Sequence, residues 1–197
     1  MFVSILHLIA YSLLSLFLVI VILRFLLQLV RADFYNPVSQ AIVKITMPLL
    51  KPLRKVIPSV LGIDTASIVL IILVQLIATA ILSSIMGAPG LILNPLPVIL
   101  WGIIGALTII SSIFFWCMII SIIGSFIAPF SHHPLLMLAN QIINPLTAPI
   151  RKVIPPLGGV LDISPIIVLL GLQIVNMLIA RLANMAGVYP QLVLGYW

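Results

Sequence analysis

A chain of 197 residues that is 63% hydrophobic and only 6% charged cannot clothe a water-soluble fold, since soluble domains carry about 25% charged residues. Nine Lys or Arg stand against three Asp and no Glu, for a net charge of +6. The cations fall between apolar runs, where membrane topology and anionic lipid headgroups account for them, so nucleic-acid contact is set aside.

The apolar runs are continuous, without the alternation of a membrane β-barrel, so the spans are helical. The first runs from Phe2 to Leu29, interrupted by Arg24. It lacks a basic start and a small-residue cleavage site, and reads as a retained span rather than a signal peptide. A basic stretch follows to Asp64, then a second span from Thr65 to Met86. Turn signals at Met86-Gly87-Ala88-Pro89-Gly90 and Asn94-Pro95-Leu96-Pro97 precede a third span, Pro97 to Ile127. Ala128 to Pro134 ends it, a second basic stretch runs to Asp162, and a fourth span covers Ile163 to Ala186.

Hydropathy alone permits three, four or five spans; an internal repeat decides for four. Pro48-Leu49-Leu50-Lys51-Pro52-Leu53-Arg54-Lys55-Val56-Ile57-Pro58 matches Pro145-Leu146-Thr147-Ala148-Pro149-Ile150-Arg151-Lys152-Val153-Ile154-Pro155 at eight of eleven positions, at an offset of 97. Asn36-Pro37 falls on His133-Pro134, and with one inserted residue Asp64 falls on Asp162 and Gln75 on Gln173. The expected fold is therefore an all-α membrane protein with four transmembrane helices in two parallel tandem repeats. Repeat one covers residues 1–90, with its basic segment at 31–64; repeat two covers 91–197, with its segment at 129–162. The positive-inside rule places both basic segments in the cytoplasm and the N-terminus, the Gly87 turn and the segment after the fourth span outside.

Each basic segment opens with a short amphipathic helix, interfacial or re-entrant: Pro37 to Met47, with Val38, Ala41, Ile42, Ile45 and Leu49 as its stripe, and Pro134 to Asn144, with Leu135, Leu138 and Ile142. Beyond it, proline lacks an N–H and blocks helix continuation, so the runs Pro48–Pro58 and Pro145–Pro155 are expected to be irregular and partly extended. Pro48, Pro52, Arg54, Lys55 and Pro58, with Pro145, Pro149, Arg151, Lys152 and Pro155, are candidate contacts for a partner or for lipid headgroups. A simple topology anchor is the competing reading.

Asp64 and Asp162 precede spans two and four. They read as helix N-caps, or as ion contacts at the cytoplasmic mouth. Gln75, Gln173 and Asn176 lie near mid-membrane, as hydrogen-bonding glue between helices or as a polar pathway. Arg24 either snorkels to the cytoplasmic face or pairs with Asp64, and Arg181 snorkels to the outer one. His7 lies at the opposite end of the bundle from His132 and His133, so it cannot share a haem with them, and the latter two read as loop residues. The single cysteine, Cys117, precludes an intramolecular disulfide. No Walker loop, nucleophile elbow, zinc motif or carboxylate pair occurs, so no enzymatic reaction and no cofactor is expected.

The run N-P-L-x-x-P-I-R-K-V-I-P-P-x-G-G-x-x-D-x-S-P, Asn144 to Pro165, resembles the hallmark of the YggT family. The duplicated form with D-F-Y-N-P at Asp33 to Pro37 is similar to its longer proteobacterial members. The first copy departs from the pattern at Leu61 and at Thr65-Ala66-Ser67. The resemblance implies a bacterial inner-membrane protein linked to osmotic or ionic stress tolerance, with relatives tied to cell division, cytochrome haem maturation and nucleoid distribution. Three functions follow as expectations: a non-enzymatic scaffold or assembly factor that docks membrane partners or anionic lipid; a small oligomeric ion or solute channel; and a factor assisting haem or cytochrome assembly.

Overall fold

The computed structural model describes residues 1–60, 62–88, 95–127, 131–155 and 162–196. The turn signals at 89–94 and 128–130 and the glycine pair at 158–159 lie outside them. Among the described residues six helices form: α1 (Phe2–Leu29), α2 (Pro37–Val56), α3 (Thr65–Ile85), α4 (Pro95–Ile127), α5 (Pro134–Val153) and α6 (Ser164–Met185). Among the described residues, α1, α3, α4 and α6 are long and apolar enough to cross a membrane. The shortest, α3 at 21 residues, spans about 32 Å at ~1.5 Å per residue, enough for a ~30 Å hydrocarbon core.

Helix α1 packs on α3, α4 on α6, and α3 on α4, joining the halves; α2 lies against α1 and α3, and α5 against α4 and α6. The core runs through Leu18, Ile22, Leu26, Leu82 and Met118, all essentially without solvent contact. Helices α3 and α6 stop the same way. Gly87 and Gly187 adopt left-handed backbone at φ 75° and 61°. The next N–H in each case reaches back to a helical carbonyl, Ala88 to Ser83 at 2.9 Å and Val188 to Ala183 at 3.0 Å.

Two expectations about the basic segments are corrected. The proline runs are helical: α2 includes Pro48 and Pro52, α5 includes Pro145 and Pro149, and the chain becomes extended only at Ile57, before Pro58. An internal proline gives up one bond to the carbonyl four residues earlier. Here the prolines are spaced by four, so both losses fall on one exposed face, where water or headgroups can satisfy the freed carbonyls. The stripe is also shifted. Helix α2 buries Ser39, Ile42, Thr46 and Leu50, leaving Ile45 and Leu49 exposed; α5 buries Leu138, Ala139, Ile142, Ile143 and Thr147 and exposes Leu135. The inward threonines bond their own helices, with Thr46 Oγ1 donating to the Ile42 carbonyl at 2.8 Å and Thr147 Oγ1 to the Ile143 carbonyl at 3.4 Å. Apolar residues turned outward suit a helix that touches lipid as well as protein.

Candidate functional site

Each basic helix is tied at both ends. The Asn36 side chain accepts from Val38 N at 2.9 Å at the start of α2, and His133 Nδ1 accepts from Leu135 N at 3.3 Å at the start of α5. These matched residues are therefore N-caps, a role that imidazole can fill with an unprotonated nitrogen. At the other ends, Arg54 pairs with Asp64 and Arg151 with Asp162. Each pair joins the last turn of an amphipathic helix to the start of a long one, with cation and anion facing the favourable helix ends.

Asp64 accepts from Arg54, from Ser67 Oγ at 2.6 Å and from Ser67 N at 3.4 Å. Burial works against its charge, but Arg54 and Ser67 outweigh that and hold the carboxyl below its ordinary value. Asp162 accepts from Arg151 Nε at 2.7 Å and Ser164 N at 2.9 Å. Its smaller burial penalty is likewise outweighed by Ser164 and Arg151, and its carboxyl is lowered too. Arg54 and Arg151 thus hold the fold together. Lys55, Lys152 and all six prolines of the two motifs remain exposed, and Val56 and Val153 beside them are each 81% exposed.

Arg24 is buried, with its guanidinium 5.3 Å from the Phe34 ring centre. Among the described residues it is Arg54, not Arg24, that pairs directly with Asp64, and Arg24 Nη1 has no hydrogen-bond partner.

The two mid-membrane glutamines part company. Gln75 is buried and binds backbone with both ends of its amide: Nε2 donates to the Leu194 carbonyl at 3.0 Å, and Leu194 N donates to Oε1 at 3.3 Å. The segment after α6 threads back between α1, α3 and α4, burying Leu192, Val193 and Leu194. Irregular backbone at membrane depth is tolerated only when every polar group is satisfied within the protein. Thr79 Oγ1 donates to the Leu192 carbonyl at 3.1 Å. The Tyr11 hydroxyl serves Val193 O at 3.3 Å and Gly195 N at 3.2 Å, and His7 Nε2 meets the Gln191 carbonyl at 2.8 Å. Gly105 makes room: a Cβ there would meet Gln75 Nε2 and the Leu194 carbonyl oxygen. Sequence reasoning missed His7, Tyr11, Thr79 and Gly105 as a set. The available signal was the segment itself, since Leu192-Val193-Leu194 is too apolar to be left in water.

Gln173 and Asn176, in contrast, lie on an exposed face of α6 without a hydrogen-bond partner among the described residues. The glutamines and aspartates that motivated a channel are therefore not brought together around one path. His7 bonds the segment after α6 while His133 caps α5, which leaves these two in separate structural roles.

Comparison with known proteins agrees with the architecture. No solved structure matches. An uncharacterised protein of Pseudomonas aeruginosa is 49% identical over 181 residues, covering 90% of each chain. An uncharacterised protein of Vibrio alginolyticus is 36% identical over 167 residues, covering 85% of this chain and 89% of its own. The uncharacterised protein YggT of Escherichia coli K12 is 32% identical over 188 residues, covering 94% of each. The CCB3/YggT family model matches twice, over residues 3–85 and 100–183, each match taking in one long helix, one proline-bearing amphipathic helix and a second long helix. By motif, by element order and by this double match, the chain belongs to the CCB3/YggT family.

Proposed function

We propose that this chain is a non-enzymatic scaffold or assembly factor of the bacterial inner membrane that docks a membrane-spanning partner through α6. The observation that carries this reading is the exposure of Gln173 and Asn176 halfway along an apolar helix. An amide facing hydrocarbon lacks partners, whereas one shared between helices contributes about 0.6–2 kcal/mol. The partner is a helix bearing amides or hydroxyls; a second copy of this chain qualifies, because an amide both donates and accepts. The basic helices lie in the cytoplasmic interface by the positive-inside rule, with both termini periplasmic, and exposed Lys55 and Lys152 meet anionic headgroups or a cytoplasmic partner there. Osmotic or ionic stress tolerance, together with envelope and division processes, is the physiological setting implied by the family.

Single cysteines placed at 173, 176 and 178 in a Cys117→Ser background test the face. Oxidation in native membranes is expected to crosslink the first two and to spare Leu178→Cys, on the opposite exposed side of α6. The mass of the product identifies a second copy or another protein. A Gln173→Leu/Asn176→Leu double variant is expected to abolish crosslinking at a neighbouring reporter, Ala180→Cys, and growth rescue of a deletion strain at high salt. Full rescue without any crosslink would sink the proposal.

A further inference from the structure

Where α2 of repeat one carries an apolar pocket lined by Phe34, Val43 and Met47, repeat two contains a polar crevice. It lies between α4 and α5, encloses about 500 Å³, and is lined by Ser121, Ser125, Asn140, Asn144, Thr147 and Arg151, among others. This volume falls within the range of about 300–1,000 Å³ common to ligand sites. At an offset of 97, those positions in repeat one are Arg24, Gln28, Val43, Met47, Leu50 and Arg54, and Gly124 at the crevice wall corresponds to Leu27. Leu27 and Leu50 are completely buried and Arg24 nearly so. Leu27, Leu50 and Arg24 pack inward in repeat one where Ser121 and Thr147 are shorter in repeat two, while Leu136 packs over Gly124.

The crevice adjoins an apolar groove of about 370 Å³ lined by Ile120, Ile123, Ile127 and Leu135; both are walled by Gly124, Ser131 and Leu136. A polar chamber next to an apolar slot, along an amphipathic helix, matches a molecule with one polar and one hydrocarbon end. The lining offers amide and hydroxyl groups, with Ser121 Oγ donating to Asn140 Oδ1, and the Arg151 guanidinium, whose Nε and Nη2 face Asp162. Such a lining suits hydroxyls through its amides and hydroxyl groups, and a phosphate through the edge of Arg151 not bonded to Asp162.

We propose that this crevice binds one anionic phospholipid with a hydroxyl-bearing headgroup, its phosphate toward Arg151 and an acyl chain along Ile120, Ile123 and Ile127. The inference rests on the placement of α5 in the membrane interface given above, but not on the α6 docking face.

The test uses the full chain, delipidated in detergent and titrated with phosphatidylglycerol, phosphatidylethanolamine and soluble glycerol 3-phosphate, with binding read by native mass spectrometry. Phosphatidylglycerol is expected to bind about ten-fold more tightly than phosphatidylethanolamine, the effect of one or two hydrogen bonds. The variant Asn140→Val/Asn144→Met installs the repeat-one residues, which α2 already accommodates, and is expected to erase that preference. Ile123→Trp is expected to weaken the lipid while leaving α6 crosslinking intact. Equal binding of the two lipids, an unchanged preference in the double variant, or glycerol 3-phosphate binding as tightly as the lipid would each overturn the assignment. Loss of α6 crosslinking with the lipid preference retained would refute the docking face alone.

Discussion

At Asp64 the carboxylate is 3% exposed and its partner guanidinium 32%, whereas at Asp162 and Arg151 the values are 26% and 46%. Removing one partner of a buried pair leaves the other charge uncompensated, while exposed pairs contribute little. Asp64→Asn is therefore expected to destabilise by roughly 1–3 kcal/mol, and Asp162→Asn by clearly less, as read from melting temperatures in detergent. The folded carboxyl at 64 is held below its ordinary value of about 3.9, so the unfolded chain binds the proton more readily. Its stabilising contribution is complete above that ordinary value and is lost as pH falls through the lower folded one. An acid titration of the wild type should thus show a loss below about pH 4 that shrinks in Asp64→Asn, where only the smaller contribution of Asp162 remains. The capping role was legible in the sequence because it depends on residues adjacent to the helix start. The arginine partner was not, because Arg54 lies inside the proline run, whose helical path propensity does not reveal.

Helices α2 and α5 show why that path was misjudged. A proline in a helix costs about 3 kcal/mol when judged alone, which predicts a break at Pro48. The real helix is restrained by its N-cap, by its ion pair and by a buried stripe down to Leu50, which is completely buried. Tertiary packing outweighs propensity here, as it often does. Leu50→Ala is expected to cost about 2–5 kcal/mol. Leu49→Ala, at a position 46% exposed, is expected to leave the melting temperature in detergent within a degree or two of wild type, because little surface is uncovered. If the two variants melted alike, the assignment of the buried face would be wrong. The long helices were legible to within about two residues because continuous hydrophobicity is a local signal. The rotation of α2 was not, because a helix that touches lipid, water and protein has two apolar faces, and sequence cannot say which one the bundle takes.

Across the whole molecule, Gln75 and the segment after α6 connect residues 119 apart in sequence. Gln75→Leu would leave the Leu194 N–H and carbonyl without partners, at about 1–3 kcal/mol for each. The expected result is a lower melting temperature and faster maleimide labelling of a Val193→Cys reporter in a Cys117→Ser background. Gly105→Ala should do the same by crowding the segment out, while Thr79→Ser, which keeps its hydroxyl, should not. Unchanged labelling in Gln75→Leu would show that the segment is held by its apolar side chains alone. Of this arrangement the sequence carried only the apolar character of Leu192-Val193-Leu194; Gln75 and Gln173 are matched residues in matched helices, and only Gln75 meets a backbone. The arrangement also fixes an order of assembly. Tyr11 waits for Val193, 182 residues downstream, so α1 and α3 cannot finish packing while the second half is still being made. Residues 1–90 expressed alone should therefore insert yet remain prone to proteolysis, and co-expression of residues 91–197 should rescue them.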